Sequence, residues 1–208
     1  MKKTATILML CFALQNFAQE ISTLKIDESN NSNSRGLHLD VVWRIYYASP
    51  NQFGDHVWND AYSSGFSMGT SLGLLEFQNF RLTGGYEIEK YGVKDVSKAG
   101  NFEKVTKHNF YGTVSYDCKL NDQLMIVPNI GFGFKAITHR MKSERVAHQA
   151  GDIIRIGAFC DYSLGKSASV FLGVHYISTK FDLNINNQYE DYFEKSTQLQ
   201  LTLGLKVY

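Results

Sequence analysis

The sequence predicts an all-β protein, an eight-stranded antiparallel up-and-down transmembrane β-barrel over residues 35–208. Three observations lead there. Apolar and polar residues alternate with period two again and again, and no long segment keeps a helical 3.6-residue period. The connections between the alternating segments are long and short in turn. The polar face of these segments carries charges of both signs and many glycines, whereas the apolar face carries no charge within the strand cores.

The first residues stand apart from that pattern. Lys2 and Lys3 precede an apolar run from Ile7 to Leu14, and Asn16-Phe17-Ala18 puts a small residue before a cleavage point. Residues 1–18 therefore read as a secretory signal peptide cut near Ala18. The run is too short for a membrane helix, which needs ~20 apolar residues. Residues 19–34 end in Asn30-Asn31-Ser32-Asn33-Ser34 and read as a flexible polar lead-in.

The strands follow. In 37–47, Leu37, Leu39, Val41, Trp43, Ile45 and Tyr47 share one face, and His38, Asp40, Val42, Arg44 and Tyr46 the other. The last strand matches it, with Leu199, Leu201, Leu203, Leu205 and Val207 opposing Gln198, Gln200, Thr202, Gly204 and Lys206. Between them lie 65–75, 80–91, 107–118, 124–136, 152–164 and 168–178. Residues 76–79, 119–123 and 165–167 are short turns; 48–64, 92–106, 137–151 and 179–196 are long loops. An even strand count with tight turns at one end and long loops at the other is the outer-membrane pattern.

Period two alone does not say which face looks inward. Eight strands leave an interior just wide enough to be filled by side chains. Buried charges persist when paired and hydrogen-bonded. A lumen network of Asp40, Arg44, Arg81, Glu87, Glu89, Lys107, Asp117, Lys135, Arg155, Asp161, His175 and Lys206 meets that need, with glycines relieving the crowding. The apolar face then lies in lipid. Tyr116 and Tyr162 sit toward the short-turn end, and Tyr47, Phe66, Phe132, Phe134 and Tyr176 toward the loops, as two aromatic girdles. Cys118 and Cys160 face lipid with one strand between them, too far apart for a disulfide.

These features, with the closing strand TQLQLTLGLKVY, resemble the small OmpA/OmpX-type outer-membrane proteins. In particular they resemble the "outer membrane protein beta-barrel domain" proteins, also labelled porin family, of Bacteroidetes type. The resemblance covers residues 35–208. It implies the outer membrane of a Gram-negative bacterium and insertion by the outer-membrane assembly machinery, which reads the last strand. Tyr208 departs from the phase of Leu203, Leu205 and Val207.

The expected function is non-enzymatic: a monomeric barrel with a plugged polar lumen, structural or surface-binding through four long extracellular loops. Its partners are outer-membrane lipid and lipopolysaccharide, and an extracellular ligand at the loops. The third loop, His139 to His148, offers Arg140, Lys142 and Arg145 to lipopolysaccharide phosphates. One alternative is an outer-membrane lipid-modifying enzyme: Gly173-Val174-His175-Tyr176-Ile177-Ser178-Thr179 is similar to the His–Ser pair of a lipid A deacylase, but phase puts His175 inside and Ser178 outside. The other is a soluble lipocalin-like barrel with the faces inverted. A pore is disfavoured, because aqueous channels take ~16 strands.

Composition narrows the field further. Of 208 residues, 21 are basic and 20 acidic, which excludes nucleic-acid binding by bulk charge. A hydrophobic content of 44% excludes a wholly disordered chain. No cofactor or metal is expected: the cysteines form no CxxC pair, and a lumen pairing accounts for His38-Leu39-Asp40.

Overall fold

The computed structural model describes residues 36–141, 144–183 and 186–208. The segments expected as signal peptide and lead-in lie outside the described residues. Among the described residues, eight long strands form one closed sheet. They are β1 (Leu37–Gln52), β2 (Tyr62–Phe77), β3 (Phe80–Val93), β4 (Lys104–Tyr116), β5 (Leu124–Met141), β6 (Glu144–Ser163), β7 (Ala168–Phe181) and β8 (Lys195–Val207). Cys118–Lys119 continues the β4 edge as a short pairing with β5. Every neighbouring pair is antiparallel, and β1 pairs with β8 to close the barrel.

The pairing register fixes the shape. A walk across the sheet runs from Val42 through Gly73, Thr83, Thr113, Gly131, Arg155 and Ile177 to Gln198. It returns to β1 at Gln52, ten residues along. With strands ~4.8 Å apart and ~3.3 Å of rise per residue, that stagger implies a tilt of about 40° and a radius of about 8 Å. An interior of that width is one that side chains can fill.

The faces sort by alternation. Trp43, Leu72, Leu82, Val114, Ile130, Ile156, Leu172 and Leu203 are exposed on the outer wall, while Arg44, Glu87, Lys107, Arg155 and Lys206 are buried. A soluble barrel with an apolar interior is thereby overturned. No helix among the described residues is long and apolar enough to cross a membrane; the strands carry the apolar wall. Several aromatics pair on that wall: Tyr47 with Phe66, Phe80 with Tyr116, and Phe110 with Phe134. Cys118 and Cys160 are free thiols that share Ile126 as cross-strand neighbour, one on each side of β5.

The third long loop needs correction. Residues expected as loop 137–151 pair as strand: Ile137 with Gln149, His139 with Ala147, Arg140 with Arg145 and Met141 with Glu144. Ile137-Thr138 and Val146 supply β-branched residues that favour this extension. Three connections at that end remain loops. The first contains helix α1 (Val57–Ala61), the second helix α2 (Val96–Ala99), and the fourth a 3₁₀ turn and helix α3 (Glu190–Glu194).

Candidate functional site

The charged residues of the inner wall meet in layers. Nearest the short turns, Arg81 pairs with Asp117 at 3.1 Å and with Glu76. One layer deeper, Asp161 receives both Arg44 and Lys206 at 2.9 Å, and the Arg44 guanidinium lies 4.8 Å from the Phe159 ring centroid. At mid-height, Glu87 faces Arg155 at 3.5 Å and accepts hydrogen bonds from Tyr46, Asn109 and Gln200. Arg155 also donates to Gln200 at 2.9 Å and stacks on Tyr111. Above that, Glu89 faces Lys135 at 3.6 Å and accepts from Tyr91, Asn109 and Gln198. Gln52 joins Tyr91 to Gln198 with two bonds of 2.9 Å.

Glu87 and Glu89 thus each have a cation and polar donors, and Asp161 has two cations, the condition under which buried charge is tolerated. Glycine makes room for the largest members. A Cβ on Gly69 would meet the Tyr46 ring at 2.3 Å, and one on Gly85 the Tyr111 ring at 2.2 Å. Eight strands could not otherwise enclose two facing tyrosines at that height.

Two residues differ from the expected network. His175 is buried but packs edge-on to Phe159 at 4.6 Å, and neither ring nitrogen has a hydrogen-bond partner among the described residues. It fills space beside Gly157, where a Cβ would meet its ring. Lys107 joins no carboxylate within ion-pair distance among the described residues. Its ammonium instead lies 3.5 Å from the Trp58 ring centroid and 4.2 Å from that of Tyr91, a cation–π cage. The side chain of Asp40 lies outside the described residues.

The wide mouth is closed by α1. Val57, Trp58 and Ala61 are buried against Tyr62, Tyr91, Val105, Ile137 and Phe181, and Trp58 stacks on Tyr62 at 4.4 Å. His56 caps the helix: its Nδ1 accepts the Asn59 N–H at 3.1 Å, and its Nε2 lies 2.8 Å from the Phe53 carbonyl oxygen and 3.1 Å from the Thr197 backbone nitrogen. Burial pushes the His56 pKa below its ordinary value. Outside the mouth, hydrogen bonds from Lys98 and Tyr192 hold the Asp60 carboxyl below the usual carboxylate range and tie the first loop to the second and fourth.

The interior therefore sets paired charges among buried apolar side chains such as Val127, Ile153, Phe171 and Ile177, and is aromatic at the loop end. Trp58 carried no signal in the sequence, because a five-residue helix in a loop shows no period. Tyr46, Tyr91, Tyr111, Gln198 and Gln200 were legible as inward by phase. Arg140 is exposed on the outer face, and the pairing with Arg145 puts that residue in the same register. Lys142 and the side chain of Arg145 lie outside the described residues. His175 and Ser178 stand on opposite faces of β7, with Ser178 paired to Ile154 on the outer wall. Among the described residues no cluster of His, Cys, Asp or Glu could hold a metal.

No family model and no curated protein matches the sequence. Solved structures do match. Neisserial surface protein A aligns over 83% of this chain and 98% of its own, with a TM-score of 0.57 and 13% identity. The fold is that of the small outer-membrane β-barrels. The N-terminal β-barrel domain of Pseudomonas aeruginosa OprF aligns over 81% and 99%, at 14% identity and TM-score 0.46. The outer-membrane enzyme PagL aligns over 79% and 99%, at 16% identity and TM-score 0.42. At such identities the likeness concerns fold alone, and function has to be argued from this chain's own residues.

Proposed function

We propose that this chain is a non-enzymatic outer-membrane barrel, exported with residues 1–18 as signal peptide and acting through its loop end at the cell surface. The observation that carries the reading is the inversion of the walls: leucines, valines and aromatics cover the outside, and paired charges fill the inside. Only a bilayer makes that arrangement stable, since exposing so large an apolar band to water costs about 25 cal/mol per Å². The short turns face the periplasm and the loops face outward. The chain works as a monomer and is inserted by the assembly machinery that reads β8.

The lumen supports a closed body. It is filled by four charge layers and capped by Trp58, so the chain acts on partners rather than by passing solutes. The surface offered to them is the outer collar above the apolar band, with Arg140, Lys142 and Arg145 available to lipopolysaccharide phosphates, and the aromatic and acidic fourth loop available to an extracellular ligand. The separation of His175 from Ser178 supports the non-enzymatic reading over a lipid-modifying one.

The test is heat-modifiability of the full chain in the outer-membrane fraction. A band that shifts on boiling, with no stable conductance of the pure protein in a planar bilayer, is expected. A soluble protein without a shift would overturn the membrane assignment. A steady conductance would overturn the closed lumen.

A further inference from the structure

Many glycines of the barrel are explained by crowding inside it, as at Gly69 and Gly85; Gly84 and Gly112 are not. Gly84 on β3 and Gly112 on β4 face outward and are direct cross-strand partners. A Cβ on Gly84 would meet nothing within 4 Å, and one on Gly112 only the Thr83 carbonyl at 3.9 Å. Glycine in a strand interior weakens it and often marks close approach by a ligand. Here neither neighbour sterics nor backbone torsion demands it. The pair leaves a dent in the apolar wall, flanked on the same row by Leu72 and Phe132. Tyr86, Phe110 and Phe134 stand over it toward the loops, with ring centroids 4.9 Å apart between successive partners.

Cations continue the same sector of the wall. Lys90 is exposed on β3, two residues above Ile88; Lys104 is exposed on β4; and Lys104 is the direct cross-strand partner of exposed Arg140 on β5. Like charges placed opposite each other destabilise a sheet. Among the described residues none of the three has a carboxylate within 4.0 Å. Cations kept together without internal partners call for an external anion. From Gly84 to Lys90 is six residues, about 20 Å along a strand tilted ~40°, which is about 15 Å of depth. That equals half of a ~30 Å hydrocarbon core. With Lys90 at the membrane surface, the dent lies at the level of acyl-chain ends.

We propose that the β3–β5 wall is a binding site for one phosphorylated lipid of the outer leaflet, its phosphate held by Lys90, Lys104 and Arg140 and an acyl chain seated over Gly84 and Gly112. The site rests on the reading that the apolar wall lies in lipid, extends the lipopolysaccharide contact from Arg140 to two further cations, and adds a chain seat. Its occupant is defined by charge above and a smooth apolar notch below.

The test is native mass spectrometry of the full-length mature protein in zwitterionic detergent, titrated with diphosphoryl lipid A, with phosphatidylcholine, and with inorganic phosphate as competitor. Wild type should retain the diphosphoryl lipid at least about tenfold more tightly than phosphatidylcholine. Combining Lys90→Gln, Lys104→Gln and Arg140→Gln should abolish that preference. Gly112→Leu, which fills open space, should weaken retention of the lipid about threefold while leaving the heat-shift of the barrel intact. Equal retention of both lipids by wild type, or undiminished preference in the triple variant, would overturn the site. Displacement by inorganic phosphate alone would show a bare phosphate site and overturn the lipid occupant, as would unchanged binding in Gly112→Leu. Loss of the heat-shift in wild type would instead strike the membrane assignment, so the two failures are distinguishable.

Discussion

Below Lys107 the barrel is filled by strand residues that include paired charge layers; above it α1 packs Val57, Trp58 and Ala61 against apolar and aromatic residues of the strands. The lower region is tied into the wall at every point. Glu87 and Glu89 stand two apart on β3 and reach partners on β1, β3, β4, β5, β6 and β8, so no layer can open without separating buried charges. The upper region hangs on a short helix, an N-cap at His56 and one cation–π cage. It can loosen while the barrel persists, because local opening follows the lowest density of buried contacts. The two regions thus differ in what holds them: buried ion pairs in the one, a short helix and its packing in the other.

Four changes would break or sharpen that contrast. Glu89→Ala leaves the Lys135 ammonium buried without its ion partner and should cost about 3–5 kcal/mol, read as a lower urea midpoint of the folded band on unboiled gels. A lesser loss would mean that the layers are worth less than their geometry implies. Gly69→Ala forces a methyl group into the Tyr46 ring and should cost about 1–3 kcal/mol in the same assay, whereas Gly84→Ala on the outer wall should be neutral. If both behaved alike, crowding would not be why the lumen holds glycine. Trp58→Ala should change the global midpoint by less than about 1 kcal/mol while exposing 53–61 to protease. Loss of the barrel together with the plug would show that the two regions are one cooperative unit.

The smallest effect concerns pH. The pKa of His56 is lowered by burial, so the fold favours the neutral ring. Its contribution is complete above the unfolded-chain value of 6.5 and is lost as pH falls through the lowered folded value. Protonation at Nδ1 removes the acceptor for the Asn59 N–H and puts a cation at the helix start. The plug should loosen in mild acid by about 0.5–1 kcal/mol, followed by Trp58 fluorescence in a Trp43→Phe background. His56→Asn keeps a cap without a titrating group and should remove the pH dependence.

Much of this was legible along the chain. Leu199 to Val207 shows its two faces in ten residues, and Asn121-Asp122 and Gly165-Lys166 mark turns where the strands reverse. What failed is instructive. Residues 137–151 looked like a loop because Arg140, Lys142, Glu144 and Arg145 hide the period; strand pairing above the membrane does not need an apolar face, so the register with β5 decides the structure there. Lys107 reads as a member of a salt-bridge layer by phase alone, yet Trp58 reaches it from a loop and supplies rings in place of a carboxylate.

Sequence alone determined the number of strands, their alternation and which face meets lipid. Those properties depend on local period and on the solvent each face can tolerate, and both are written residue by residue. Tertiary structure decided which cation meets which anion, that α1 turns inward, and that Gly84 and Gly112 lie side by side on the outer wall. Those depend on a ten-residue stagger accumulated around eight strands, which no single segment contains.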